Sequence, residues 1–135
     1  MVVIDTSIVY KWITEEGKEL NNPALKLFHK FIEGEEKLIV PDIALYELAN
    51  ALATKTPLTL NDIEKAWGLF KDLQLKVINP DLKFIEDCLK FAKKYYTSVY
   101  DASFAVLAKQ KKCDFITADS KFVRQVNLPF IKNLV

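Results

Sequence analysis

The chain begins with consecutive apolar residues, Val2 to Ile4, that run directly into the carboxylate of Asp5. An apolar run without polar alternation is typical of a strand that is buried on both faces, as in the middle of a parallel sheet. The following segment, Ser7 to Ile13, contains no turn residue and is predicted to be helical. Asp5 therefore lies at the carboxyl end of a central strand, where ligands and chemistry collect in open α/β sheets.

Length and composition limit the chain to an ordinary globular class. A length of 135 residues predicts a single domain over 1–135. Half of the residues are hydrophobic and 27% are charged, which excludes a disordered chain, and the net charge of +1 indicates neither an acidic nor a basic partner. We find no signal peptide and no apolar run long enough to span a membrane, so a cytoplasmic protein without membrane contact is expected.

Residue types that form zinc, redox or nucleophilic sites are scarce. Cys88 and Cys113 do not form a Cys-x-x-Cys pair, and buried free thiols are favoured over a disulfide. The single histidine, His29, is predicted at the surface of a helix or at its boundary. No Ser-His-Asp or Cys-His arrangement is therefore available for nucleophilic catalysis.

Further strands alternate with helices along the chain. Strands are predicted at Leu38–Val40, closed by Pro41, at Leu75–Ile78, whose partial alternation favours a sheet edge, at Phe115–Thr117 and at Phe130–Ile131. This alternation predicts a three-layer, doubly wound α/β fold of about five parallel strands with helices on both faces.

Helix boundaries follow from capping signals. After a polar loop at residues 15–19, helices are predicted from Asn22-Pro23 to Gly34, from an Asp42 cap to Thr54, after a Thr59/Asp62 capping box, from Asn79-Pro80, over Val99–Lys111 and after Asp119. The helix after the Thr59/Asp62 capping box has an apolar stripe of Ile63, Ala66, Trp67, Phe70 and Leu73. The helix from Asn79-Pro80 is expected to turn Ile85, Cys88, Leu89 and Ala92 inward. The helix over Val99–Lys111 is apolar enough to be buried.

Asp5, Glu47, Asp101 and Asp119 are conspicuous because their neighbours are apolar. Each aspartate has a structural explanation, since Asp5 and Asp119 fit helix N-caps and Asp101 has the capping-box spacing from Ser98. Glu47 does not fit such a role. It lies well inside an apolar helix, no Lys or Arg is three or four residues away, and only Asn50 shares its face. A buried hydrogen bond, a distant cation or a metal shared with the aspartates would explain it.

A shared metal explains all four carboxylates together. Grouped carboxylates repel one another without a cation, and oxygen ligands without clustered His or Cys suit Mg²⁺ or Mn²⁺. Such a site suits phosphodiester hydrolysis, because it orients a water, lowers the pKa of that water and stabilises the transition state.

These motifs together resemble a known family. Val3 to Ser7, Glu47 to Asn50, Tyr100 to Ala102 and Thr117 to Asp119 resemble the PIN-domain family, and more narrowly the VapC-type toxins of prokaryotic toxin–antitoxin pairs. The resemblance covers essentially the whole chain. It implies strand order 3-2-1-4-5, which places Asp5 and Asp119 at the switch point of the sheet, and a Mg²⁺- or Mn²⁺-dependent ribonuclease.

The resemblance also assigns roles to residues and implies partners. Asp5, Glu47, Asp101 and Asp119 match the acidic, metal-binding and catalytic positions, and Thr6, Ser7, Asn50 and Thr117 match supporting positions. Lys121 and Arg124 follow Asp119 closely and are candidates for RNA contact. An RNA substrate, a VapB-type antitoxin and a homodimer are implied. A non-catalytic α/β module in RNA processing, a receiver-like domain and a structure-specific DNA nuclease remain as alternatives.

Overall fold

The computed structural model describes residues 1–14, 22–55 and 57–134, and these residues contain a five-stranded parallel sheet. The strands are β1 (Val2–Ile4), β2 (Leu38–Pro41), β3 (Lys76–Ile78), β4 (Asp114–Thr117) and β5 (Ile131–Asn133), in the order β3-β2-β1-β4-β5. The helices are α1 (Thr6–Ile13), α2 (Pro23–Ile32), α3 (Ile43–Thr54), α4 (Leu60–Leu73), α5 (Leu82–Tyr95), α6 (Val99–Lys111) and α7 (Ser120–Val126). The predicted fold class and strand order are confirmed. The polar loop predicted at 15–19 lies outside the described residues.

The strand order separates the helices into two layers. The chain moves from β1 towards β3 in one direction and then reverses to β4 and β5. Because parallel crossovers are right-handed, α1 to α4 lie on one face of the sheet, and α5 to α7 lie on the other. The contacts agree, since α1 packs against α2, α3 and α4, while α5 packs against α6. The reversal leaves a crevice beyond the carboxyl ends of β1 and β4.

Helix α6 is the buried element of the second layer. Every residue from Ala102 to Ala108 is buried, because α6 lies between the sheet strands β1, β2 and β4 on one side and α5 on the other. The almost uniformly apolar sequence of α6 before Lys109 thus reflects this enclosure, and the predicted burial is confirmed for Ala102 to Ala108. Within the described residues, no helix combines the length and the apolar character needed to cross a membrane.

Helix α5 corrects one prediction from the sequence. It begins at Leu82 with Asp81 as its N-cap, and Asp81 Oδ1 accepts a hydrogen bond from the backbone N–H of Phe84 at 2.7 Å. Ile85 and Leu89 are 44% and 59% exposed instead of inward. The buried face uses Phe84 and Phe91 with the predicted Cys88 and Ala92, because two phenylalanine rings bury more apolar area there.

Two smaller expectations are also modified. Asp42 occupies the N-cap position of α3, but its backbone is helical and its side chain forms no capping hydrogen bond. The cysteines are free as predicted, although only Cys88 is fully buried and Cys113 is half-buried. Burial raises the pKa of the Cys88 thiol to about 11, so this thiol stays protonated and unreactive at neutral pH.

Candidate active site

The β1–β4 pairing brings Asp5 and Asp119 together at the crevice. Ile4 is in register with Ile116, so Asp5 lies beside Thr117. The Thr117 hydroxyl donates to Asp5 Oδ2 at 2.6 Å and accepts a hydrogen bond from the backbone N–H of Asp119 at 3.0 Å. Because Thr117 is only 1% exposed, this buried hydroxyl holds the two aspartates in a fixed relation.

Asp5 and Asp119 have the capping roles that the sequence predicts, and Asp101 has the predicted spacing from its cap. Asp119 Oδ1 accepts from the backbone N–H of Phe122 at 3.0 Å, and Asp5 Oδ1 accepts a longer bond from Ser7 N at 3.4 Å. At Asp101 the backbone N–H donates to Ser98 Oγ at 3.0 Å, as a capping box predicts. These caps fix the position of each aspartate at the start of its helix, and all three aspartates line the crevice.

Glu47 reaches the same crevice from α3. Its Oε1 accepts a hydrogen bond from the Thr6 hydroxyl at 3.0 Å, so the partner that its apolar helix lacks comes from the start of α1. Partial burial raises the pKa of Glu47, and the nearby charges of Asp5 and Asp101 raise it further, against the opposing effect of the Thr6 hydrogen bond. Negative charges from separate elements therefore act on one another here.

Asp101 completes the group from the first turn of α6. The residue is exposed overall, yet partial desolvation of its carboxyl group raises its pKa, as do the charges of Asp5 and Asp119, against the lowering effect of Ser98. Asp5 is thus the central member, because its charge acts on both Glu47 and Asp101. We call Asp5, Glu47, Asp101 and Asp119 the cleft carboxylates.

The cleft carboxylates have the donor chemistry for a hard divalent cation. No residue that the structure describes forms an ion pair with any of them, and their hydrogen-bond donors are hydroxyls and backbone N–H groups. Oxygen-only ligands of this type fit Mg²⁺ or Mn²⁺. In the described chain, no three His, Cys, Asp or Glu side chains converge closely enough to ligate one ion as they stand, so binding would draw the carboxylates inward.

The crevice has two parts that share Asp5. The aspartate cleft is lined by Asp5, Asp101, Thr117 and Asp119 over a floor of Phe104, Phe115 and Phe122. The Glu47 cleft is lined by Asp5, Thr6, Glu47 and Ala51, with Lys11 and Lys55 at its far end.

The two lysines of the Glu47 cleft were missed by sequence reasoning. Lys55 follows Glu47 by eight residues, and Lys11 follows Ser7 by four. Residues four or eight apart share a helix face, so this spacing was the available signal.

The other predicted residues are less central. Ser7 is exposed and lines the Glu47 cleft, whereas Asn50 is exposed and lines neither cleft. Lys121 and Arg124 are exposed on α7, which begins directly after Asp119, but they also line neither cleft. Asp114 lies at the opposite edge of the sheet, where its Oδ2 pairs with Lys132 Nζ at 2.8 Å.

Comparison with solved structures shows the same fold. The toxin–antitoxin complex from Klebsiella pneumoniae superposes with a TM-score of 0.74 at 14% identity, covering 100% of this chain and 98% of that chain. VapBC2 from Rickettsia felis, bound to a DNA fragment from their promoter, gives 0.74 at 16% identity and covers 100% of both chains. DNA-bound VapBC from Salmonella typhimurium gives 0.70 at 14% identity, over 99% and 98%.

Sequence comparison gives the family. No curated protein matches the chain at a significant level. A family model for the PIN domain matches residues 2–127, which is nearly the whole chain. The chain therefore belongs to the PIN domain family, whose members are generally nucleases that use divalent metal ions.

Proposed function

We propose that this PIN domain is a Mg²⁺- or Mn²⁺-dependent endoribonuclease that hydrolyses RNA phosphodiester bonds, and that it acts as the toxin of a type II toxin–antitoxin pair. The observation that carries this proposal is the meeting of Asp5, Glu47, Asp101 and Asp119 at the switch point without a paired cation. The similar solved structures are toxin–antitoxin assemblies, which supports an antitoxin partner for this chain and, with it, a VapC-like role.

The cleft carboxylates would hold the metal, and the neighbouring residues would orient them. A bound divalent ion supplies a water of lowered pKa and stabilises the charge that develops on the phosphoryl oxygens. The Thr117 hydroxyl fixes Asp5 Oδ2, and the Thr6 hydroxyl fixes Glu47 Oε1. These two hydrogen bonds preset the carboxylate orientations, as the outer partners of metal ligands commonly do.

Cleavage of a mixed RNA pool by pure protein tests this function. We expect cutting with Mg²⁺ or Mn²⁺, no cutting with EDTA, and no cutting by Asp101→Asn. Asp114→Asn is the matched control, because it removes the same charge at the opposite edge of the sheet. A contaminating nuclease would cut equally in all three preparations, so a loss confined to Asp101→Asn would assign the cutting to this site. Metal-dependent cutting by clean Asp101→Asn at the wild-type rate would contradict that assignment.

A further inference from the structure

The charge of the side chains that line the Glu47 cleft changes from negative to positive along its length. Glu47 and Ala51 on α3 and Lys55, the residue that caps the C-terminus of α3, line it at intervals of four residues, and on α1 it is lined by Ser7 and Lys11 at the same interval. Eight helical residues rise about 12 Å, so the backbone of Lys55 lies two turns from that of Glu47. The small side chain of Ala51 separates the acidic end of the cleft from its basic end.

Both lysines are without an ion-pair partner in the described part of the chain. Lys55 Nζ lies 3.9 Å from the centroid of the buried Tyr10 ring, a cation–π contact that holds the ammonium over the cleft. No hydrogen bond or ion pair joins half-buried Lys11 to a described residue. Lysines that served only to neutralise Asp5 or Glu47 would lie at ion-pair distance, as Lys132 does from Asp114 at 2.8 Å.

An RNA strand needs cations beside the acidic site. Its phosphates are repelled by the cleft carboxylates, and lysine contacts to neighbouring phosphates offset that repulsion without reading sequence. We propose that Lys11 and Lys55 bind backbone phosphates of the substrate, so that the strand leaves the cleft carboxylates along the Glu47 cleft, between α1 and α3. This inference rests on the proposed ribonuclease function and names the path of its substrate.

The salt dependence of RNA binding tests the proposal. We would prepare Lys11→Gln, Lys55→Gln and the double variant in an Asp101→Asn background, so that the RNA stays intact. Lys76→Gln is the matched control, because Lys76 is exposed at the start of β3, on the opposite edge of the sheet. Fluorescence anisotropy with a labelled single-stranded RNA of mixed sequence, in Mg²⁺ over a series of KCl concentrations, gives the slope of log affinity against log salt.

Each lysine that contacts a phosphate contributes about 0.7 to that slope for a single strand. We therefore expect a decrease of about 0.7 for each single variant and about 1.4 for the double variant, with no change for Lys76→Gln. In the otherwise wild-type protein, the double variant should raise KM and largely keep kcat, the pattern of lost substrate binding.

The possible outcomes separate this inference from the proposed function. RNA cutting that is retained together with unchanged slopes in the double variant would overturn the inference and leave the ribonuclease standing. Tighter Mn²⁺ binding by the double variant with an unchanged slope would also overturn it, because the lysines would then only neutralise the carboxylates. A lowered slope in a protein that cuts no RNA would support phosphate binding and refute the proposed reaction.

Discussion

Carboxylates at the two edges of the sheet have different surroundings. At the amino edge Asp114 pairs with Lys132, and on the outer face of α5 Lys83 pairs with Glu86 and Asp87. At the carboxyl edge the four cleft carboxylates meet hydroxyls and backbone N–H groups and no paired cation among the described residues. Cations are not scarce, because the chain has 19 Lys and Arg residues for 18 Asp and Glu.

This difference supports the carboxyl edge of the sheet as the location of the proposed active site. Exposed ion pairs contribute only about 0–1 kcal/mol, so the Asp114–Lys132 pair at the amino edge and the Lys83 pairs on α5 are ordinary surface features. Partial burial and neighbouring like charges both oppose the charged form of a carboxylate in the folded protein, and desolvation first and then these charges raise the pKa values of Glu47 and Asp101. An arrangement that opposes folding persists where binding or catalysis requires it.

Substitution of the central carboxylate should have the largest effect. Asp5→Asn keeps the size of the side chain and removes the charge that acts on both Glu47 and Asp101. Loss of about 4 kcal/mol of transition-state stabilisation corresponds to a roughly thousandfold lower cleavage rate. Rates measured on RNA with Mn²⁺ would show this, while Asp114→Asn should stay within about twofold of the wild type. Comparable losses in both variants would remove the distinction between the edges.

Divalent cations should stabilise the wild type, since a bound cation ends the repulsion among the cleft carboxylates. A hundredfold excess over Kd adds about 2.7 kcal/mol, or roughly 5–10 °C in Tm for a chain of this size. Differential scanning fluorimetry with Mg²⁺ or Mn²⁺ should show this rise in Asp114→Asn as well and a much smaller one in Asp101→Asn. Equal rises in Tm for all three proteins would mean that the cation binds away from the cleft carboxylates.

The hydroxyl of Thr117 should matter more than its size. Thr117→Val keeps the shape but leaves Asp5 Oδ2 without its donor and the Asp119 backbone N–H without its acceptor. Outer partners of metal ligands typically contribute 10–100-fold, and we expect a loss of cleavage of about that size. Thr117→Ser, which restores the hydroxyl, should recover most of the rate. A fully active valine variant would show that the carboxylates need no such support.

Most of the fold followed from local patterns in the sequence. The apolar runs of β1 and β2, the Thr59/Asp62 capping box and the mostly apolar sequence of α6 before Lys109 are signals that a few adjacent residues determine, and each is confirmed. In α5, Phe84 and Phe91 form an apolar stripe beside the predicted one of Ile85 and Leu89, and both stripes include Cys88 and Ala92. Only packing against α6 decides between them, so the inward residues could not be read from periodicity alone.

The site likewise contains residues that local sequence patterns predict and contacts that they do not. Strand ends placed Asp5 and Asp119 at one edge, because parallel strands share a direction. The Thr6–Glu47 hydrogen bond joins residues 41 positions apart, and the lysines of the Glu47 cleft become neighbours only when α1 packs beside α3. Such contacts depend on tertiary structure, and no local pattern encodes them.

The smallest expected effect is a stability difference that depends on pH. Because the pKa of Asp101 is raised in the folded protein, the folded protein binds more protons than the unfolded chain at pH values between the ordinary and the raised pKa. Wild-type stability therefore falls as pH rises from the ordinary aspartate pKa through the raised value. Asp101→Asn lacks this loss, so without metal it should melt above the wild type at neutral pH, and the gap should close towards acid pH. Solvent screening keeps the gap below about 1 kcal/mol.

Asp114→Asn should change the melting temperature in the opposite direction. It removes an attractive pair with Lys132 and should melt slightly below the wild type at neutral pH. Thermal melts of the three proteins in EDTA between acid and neutral pH would measure both differences. If Asp101→Asn instead melted below the wild type at neutral pH, the charge of Asp101 would be favourable in the folded protein. The cleft carboxylates would then not be a group whose mutual repulsion a cation relieves.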